Sequence, residues 1–165
     1  VAMYAPSKTF NLAGLVGSYS IVYNDRLRHQ LQREAGRTCY NNMNVLSMHA
    51  LIGAYKPEGY EWVEELNETI AGNVDFACDY IAKHFEGVSV SRPQGTYMLF
   101  LHCEAYCKRH GIGIDDLIQR GWDVGVAWQQ GAPFHDPWGI RMNLALPHSL
   151  VTEAMDRLKK YVFLK

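Results

Sequence analysis

Two residues have types and settings that could do chemistry. Lys8 lies between two hydroxyl residues in Ala5-Pro6-Ser7-Lys8-Thr9-Phe10, directly after the apolar-leaning Val1-Ala2-Met3-Tyr4. A lysine amine becomes nucleophilic when its surroundings favour the neutral form, beside other cations or in a partly desolvated cleft, and such an amine can hold an aldehyde cofactor covalently. The second is Arg141. In Ile140-Arg141-Met142-Asn143-Leu144-Ala145-Leu146 the alternation places Ile140, Met142, Leu144 and Leu146 on one face of a strand and Arg141, Asn143 and Ala145 on the other. A guanidinium fixed by a strand can grip a carboxylate through two parallel charge-assisted hydrogen bonds, a geometry that a lysine cannot reproduce. His102, Cys103, Cys107 and His110 are capable zinc ligands, but they lack the short Cys-x-x-Cys knuckle. They read as one or two small buried cysteines beside surface histidines, and no metal is expected.

The elements that must position these groups follow from periodicity and punctuation. Ser18 to Tyr23 is β-branched and aromatic, hence a strand, and Asn24 caps a helix with Leu27, Leu31 and Ala35 along one side and Gly36 at its end. Asn44 starts a second helix carrying Val45, Met48, Leu51, Ile52 and Tyr55, which Pro57 ends. A long amphipathic helix follows from Tyr60 to Phe85, with Trp62, Leu66, Ile70, Ala77 and Ile81 facing one way. Strands are expected at Val88–Val90, Gly95–Leu101, Asp123–Ala127 and Ile140–Leu146, and helices at Ile114–Arg120 and from Ser149 onward. The chain therefore predicts a division near residue 56, with 1–55 in one region and 56–165 as a connector helix followed by a small α+β domain.

Composition excludes several classes. The 165 residues are 48% hydrophobic and 20% charged, which suits a globular chain with a sizeable core. A net charge of -1 with interspersed signs provides no basic stripe for nucleic acid, and no apolar run approaches the roughly 20 residues of a membrane span. Four scattered cysteines, at 39, 78, 103 and 107, fit free thiols in a reducing compartment, so a cytoplasmic location is expected. There is no Gly-x-Ser-x-Gly elbow, Ser7 lacks the Ser-x-x-Lys spacing of a serine nucleophile, and Gly111-Ile112-Gly113 lacks the third glycine of a dinucleotide site.

Ser7-Lys8-Thr9-Phe10-Asn11-Leu12-Ala13-Gly14-Leu15 resembles the cofactor-lysine segment of pyridoxal-phosphate enzymes of the aspartate aminotransferase fold, and it looks most like the cystathionine beta-lyase-like carbon-sulfur lyases. Gly95-Thr96-Tyr97-Met98-Leu99-Phe100 and the Arg-x-Asn-Leu-Ala pattern at Arg141 carry the same likeness. The resemblance runs from end to end of the chain but matches only the C-terminal part of longer enzymes. It implies an α/β family fold of which this chain supplies a remnant of the large cofactor-binding domain (1–55) and the small α+β C-terminal domain (56–165). It further implies pyridoxal 5'-phosphate on Lys8, with Ser7 as a replacement phosphate donor, since Ala5 and Val16 stand where the family commonly has a serine and an arginine on the phosphate. The substrate would be an amino acid held by Arg141 with Tyr97 nearby. Asn41, Asn42 and Asn44 read as turn and cap residues, and by resemblance their segment approaches the partner subunit's active site in a homodimer. The activity implied is carbon-sulfur β-elimination, the alternatives being transamination or a non-catalytic regulatory role.

Overall fold

The structure is a computed structural model that describes residues 1–39 and 42–163. Asn41 lies outside the described residues. The chain forms two compact units, Val1–Leu66 and Asn67–Lys165, divided within a helix that the sequence places on the far side of a boundary at residue 56.

In the first unit β1 (Ala2–Tyr4) pairs antiparallel with β2 (Tyr19–Ile21), so the lysine segment is the connection between two paired strands. Asn24 Oδ1 accepts from Leu27 N at 3.0 Å and opens α1 (Asp25–Thr38). Gly36 does not end this helix. It continues to Thr38 and stops where Cys39 turns left-handed, at φ 54°. Asn44 caps α2 (Val45–Ala54), accepting from Ser47 N at 2.8 Å, and α3 (Pro57–His84) begins on Pro57. Proline is well suited to a first helical position, because the N–H it lacks would have had no helical acceptor. Among the described residues of this unit only Pro6 and Ser47 are buried. The stripes that periodicity marks for burial stay open, with Leu27 43%, Leu31 48%, Val45 65% and Ile52 55% exposed. Caps and hydrogen bonds therefore shape these helices, and no core of the unit's own covers them.

The second unit is built on a sheet in the order β3 (Ser89–Val90), β4 (Met98–His102), β6 (Gly139–Asn143), β5 (Gln129–Gln130), antiparallel throughout. Leu99, Leu101, Ile140 and Met142 face a core completed by Val74, Ala77 and Ile81 of α3 and by Val151, Met155 and Leu158 of α6 (His148–Tyr161). Each fully buried Leu or Ile contributes about 1.5–3 kcal/mol. α4 (Glu104–His110) and α5 (Ile114–Asp123) connect β4 to β5. Two expectations are corrected here. Gly121 lies inside α5 instead of ending it, and the space that a Cβ would need there is filled by the Trp128 indole. Residues 123–127 are not a strand: α5 runs to Asp123, a turn follows with Gly125 at φ 80°, and pairing begins only at Gln129. The last helix starts at His148 after Pro147, so Ser149 is not its cap.

Asn73, 1% exposed on α3, ties this unit together. Its Nδ2 donates to Leu144 O at 2.9 Å and Leu146 O at 2.8 Å, and its Oδ1 lies 2.9 Å from His148 Nδ1. One side chain thus fixes the path from the end of β6 into α6. Replacing Asn73 by leucine leaves the buried Leu144 carbonyl without a partner and releases the more exposed Leu146 carbonyl and His148 to water, so we expect a loss of about 1–3 kcal/mol in chemical denaturation. A loss well below 1 kcal/mol would mean that the latch contributes little.

Candidate functional site

Lys8 is displayed by a turn whose backbone is closed twice. Phe10 N donates to Pro6 O at 3.0 Å and Leu12 N to Ser7 O at 3.1 Å, while Asn11 takes the left-handed conformation, φ 53°, that asparagine tolerates. Phe10 packs edge-on against Tyr55, with ring centroids 5.3 Å apart, and Tyr55 meets Tyr19 and Tyr60 in the same manner. The Tyr19 and Tyr55 hydroxyls share a hydrogen bond at 3.2 Å, and this contact, with some burial, pushes the Tyr55 pKa up to about 12. Downstream, Ser47 Oγ and Asn44 Nδ2 both donate to Leu15 O. Asn44 is therefore a cap that also anchors the chain leaving the lysine turn. Lys8 is exposed and has no carboxylate partner among the described residues, and the half-buried Ser7 has a hydroxyl with none either.

Arg141 lies at the centre of β6, in register with Phe100 of β4 and Gln129 of β5. These three share the sheet face opposite the core, together with Met98, His102 and Asn143. The guanidinium carbon is 3.9 Å from the centroid of the Phe134 ring, and Nη1 donates to Gln129 Oε1 at 3.5 Å. The ring contact is well inside cation–π range and is worth about 0.5–1 kcal/mol, whereas the amide contact is at the outer limit of a hydrogen bond. Arg28, Arg33, Arg37, Arg92, Arg109 and Arg157 each pair with a carboxylate. Arg141, half-buried, pairs with none among the described residues. Such a cation, fixed by a strand, is suited to an external anion. Tyr97, half-buried just ahead of β4, accepts at its carbonyl from Leu144 N at 2.8 Å. Ser7 and Lys8 thus share a turn in the first unit, and in the second Tyr97 precedes the β4 end that pairs with Asn143, two residues along β6 from Arg141.

Sequence reasoning missed Phe134, Gln129 and the His102–Asp136 pair. His102 Nδ1 is 2.7 Å from Asp136 Oδ2, and Nε2 is 3.5 Å from Glu104 Oε2. The hydrogen bond to Asp136 chiefly raises the His102 pKa, partial burial opposes it, and Glu104 adds to the rise. Asp and Phe in a Pro/Gly-rich loop carry no periodic signal by which they could have been found. Of the other candidate metal ligands, Cys103 and Cys107 are buried free thiols and His110 packs on Tyr106.

No protein-family model matches the chain. It is 28% identical to the cystathionine beta-lyase PatB of Bacillus subtilis (strain 168) over 96% of its own length and 41% of that protein. It is 31% identical to protein MalY of Escherichia coli (strain K12), over 92% of this chain and 39% of that one. Cystalysin from Treponema denticola, whose crystal structure contains pyridoxal 5'-phosphate, superposes with a TM-score of 0.81 at 25% identity, over 96% of this chain and 40% of cystalysin. The chain is similar to pyridoxal-phosphate-dependent carbon-sulfur lyases and aminotransferases. It corresponds to their C-terminal part and spans about 40% of the length of the relatives it matches. The residues present fit the family's cofactor: Lys8 offers an unpaired amine for an aldehyde, and Ser7 a free hydroxyl beside it for a phosphate. No described helix is long and apolar enough to cross a membrane.

A raised His102 pKa means that the protonated ring is favoured on folding. Its stabilisation is fully present below the unfolded value, near 6.5, and is lost as pH rises through the folded value. The difference in melting temperature between wild type and His102→Gln should accordingly be largest in mild acid and shrink above neutrality. A difference that does not vary with pH would contradict this.

Proposed function

We propose that the protein carrying this chain is a pyridoxal-phosphate-dependent carbon-sulfur β-lyase acting on cystathionine or related cysteine conjugates. The observation that carries the reading is the unpaired, ring-supported guanidinium of Arg141, accompanied in the same chain by a free lysine amine on a locked turn. The similarity to PatB supports the reaction type.

In this reading Arg141 holds the substrate α-carboxylate by both terminal nitrogens, which fixes the orientation of the bonds at Cα. Tyr97 borders the same end of the substrate. The Lys8 amine is the group that would hold the cofactor aldehyde, and its Nζ, once free, would take the proton from substrate Cα. Pyridoxal phosphate, when bound, supplies the electron sink that stabilises the pair left by that proton. Ser7 would donate to the cofactor phosphate. Loss of the β-substituent as a thiol, followed by hydrolysis, yields pyruvate and ammonia. As part of this proposal the whole protein is a cytoplasmic homodimer, a location that the free cysteines support.

Borohydride reduction of the full-length protein followed by peptide mapping should place the cofactor on Lys8, and Lys8→Ala should abolish the visible band. Attachment to another lysine would overturn the assignment. On cystathionine, pyruvate should form continuously without added keto acid, because elimination regenerates the aldehyde. Turnover that stops after one equivalent until a keto acid is supplied would replace the lyase with an aminotransferase. Arg141→Lys should lower kcat/KM by about 2–4 kcal/mol through loss of the bidentate contact. An unchanged value would remove the arginine from the site.

A further inference from the structure

Phe134 reaches Arg141 from a loop that closes on itself. Gly131 N donates to Gly139 O at 2.7 Å, and the two backbones lie so close that a Cβ on Gly131 would meet Gly139 at 2.6 Å. Between them Ala132–Phe134 form a short 3-10 turn, ended by His135 in the left-handed conformation. Asp136 holds the far limb. Its Oδ1 accepts from Trp138 N at 2.9 Å, its backbone carbonyl accepts from Gly139 N at 3.0 Å, and its Oδ2 meets His102 on β4. His102 is in register with Gly139, where the loop re-enters the sheet, and stands two residues from Phe100, the partner of Arg141. The contact between His102 and Asp136 is thus a side-chain fastening between the loop that carries Phe134 and the strand beside Arg141.

We infer that the His102–Asp136 pair is a positioning device for the Arg141 carboxylate site, acting through the 131–139 loop and the Phe134 ring. This rests on the reading of Arg141 as the carboxylate anchor. Phe134 covers one flat face of the guanidinium. A planar cation so supported loses rotational freedom and keeps its edge, where the N–H fork lies, open to a carboxylate. Phe134 itself is 52% exposed, so its position depends on the loop being held. The charged groups facing His102 are Asp136 from the loop and Glu104 from α4, the latter also held by Lys108 at 2.7 Å; the β3 residue opposite is Ser89, which is neutral. Both carboxylates favour the imidazolium, and the fastening is tightest when His102 is charged. Neutral His102 retains a hydrogen bond but loses its charge assistance.

The test uses the full-length enzyme and its amino-acid substrate. His102, with 42% of its side chain exposed, can be changed to glutamine with little risk to folding, which a melting curve checks. His102→Gln should raise KM roughly three- to tenfold with kcat within about twofold of wild type, and Phe134→Leu should do the same. The double variant should be no worse than either alone, and Phe134→Tyr should restore the wild-type value. The KM ratio of His102→Gln to wild type should fall toward one as pH rises through the His102 pKa. Independently of turnover, arginine-selective NMR should show the Arg141 side-chain resonances, shifted by the Phe134 ring, moving toward ordinary values in His102→Gln. If Arg141→Lys impairs the enzyme while His102→Gln leaves KM and those resonances unchanged, or if the two single effects add, the inference is wrong and the anchor stands. If Arg141→Lys also leaves KM unchanged, the anchor fails and the inference falls with it.

Discussion

The antiparallel pairing of β4 with β6 is the constraint on which the second unit depends. Five register pairs, from Met98 with Asn143 to His102 with Gly139, force every residue of both strands onto one face or the other. The core face receives Leu99, Leu101, Ile140 and Met142, each at most 5% exposed. Slipping β6 by one residue would drive Arg141 into that core and bring Ile140 and Met142 out, at a cost of several kcal/mol for the buried charge. Hydrophobic burial thereby fixes the position of a cation that takes no part in it. Asn73 extends the same control past the end of β6, since it satisfies the carbonyls of Leu144 and Leu146 as the strand gives way to α6.

Around Lys8 the control is of another kind. No core of the unit's own supports the turn, and its shape comes from two backbone closures, the Phe10–Tyr55 contact and the anchoring of Leu15 by Ser47 and Asn44. Those groups hold a local shape while leaving the amine in the open. Arg141 is placed by a sheet and Lys8 by a connection between strands. The two groups accordingly differ in what disturbs them: packing changes reach the arginine, whereas changes in aromatic and polar anchors reach the lysine.

Much of this architecture is legible in the sequence. Asn24 and Asn44 are helix caps because their side chains accept from the N–H three residues on, and the 140–146 alternation identifies both the buried face and the outward arginine. Other features arise only from contacts distant in sequence. Gly121 reads as a helix end until the Trp128 indole is seen to fill the space its side chain would need. The stretch from Asp123 has strand composition, yet α5 keeps Asp123 and the left-handed Gly125 breaks the chain before pairing begins. Leu27 and Leu31 have helical spacing and remain exposed, because periodicity says which face is apolar and not whether anything covers it. At the site, Lys8 and Arg141 stand out through residue type and local pattern. Phe134, His102 and Asp136 do not, since their relation to Arg141 exists only once the loop has folded back on the sheet.

The proposed function rests on two roles in the full-length protein, Lys8 as the cofactor amine and Arg141 as the carboxylate anchor. A crystal structure of that protein with pyridoxal phosphate and an unreactive substrate amino acid tests it most directly. The account predicts the Lys8 amine beside the cofactor's aldehyde carbon and both terminal nitrogens of Arg141 on the ligand carboxylate. A ligand carboxylate held by another residue, with Arg141 turned away from it, would contradict the account.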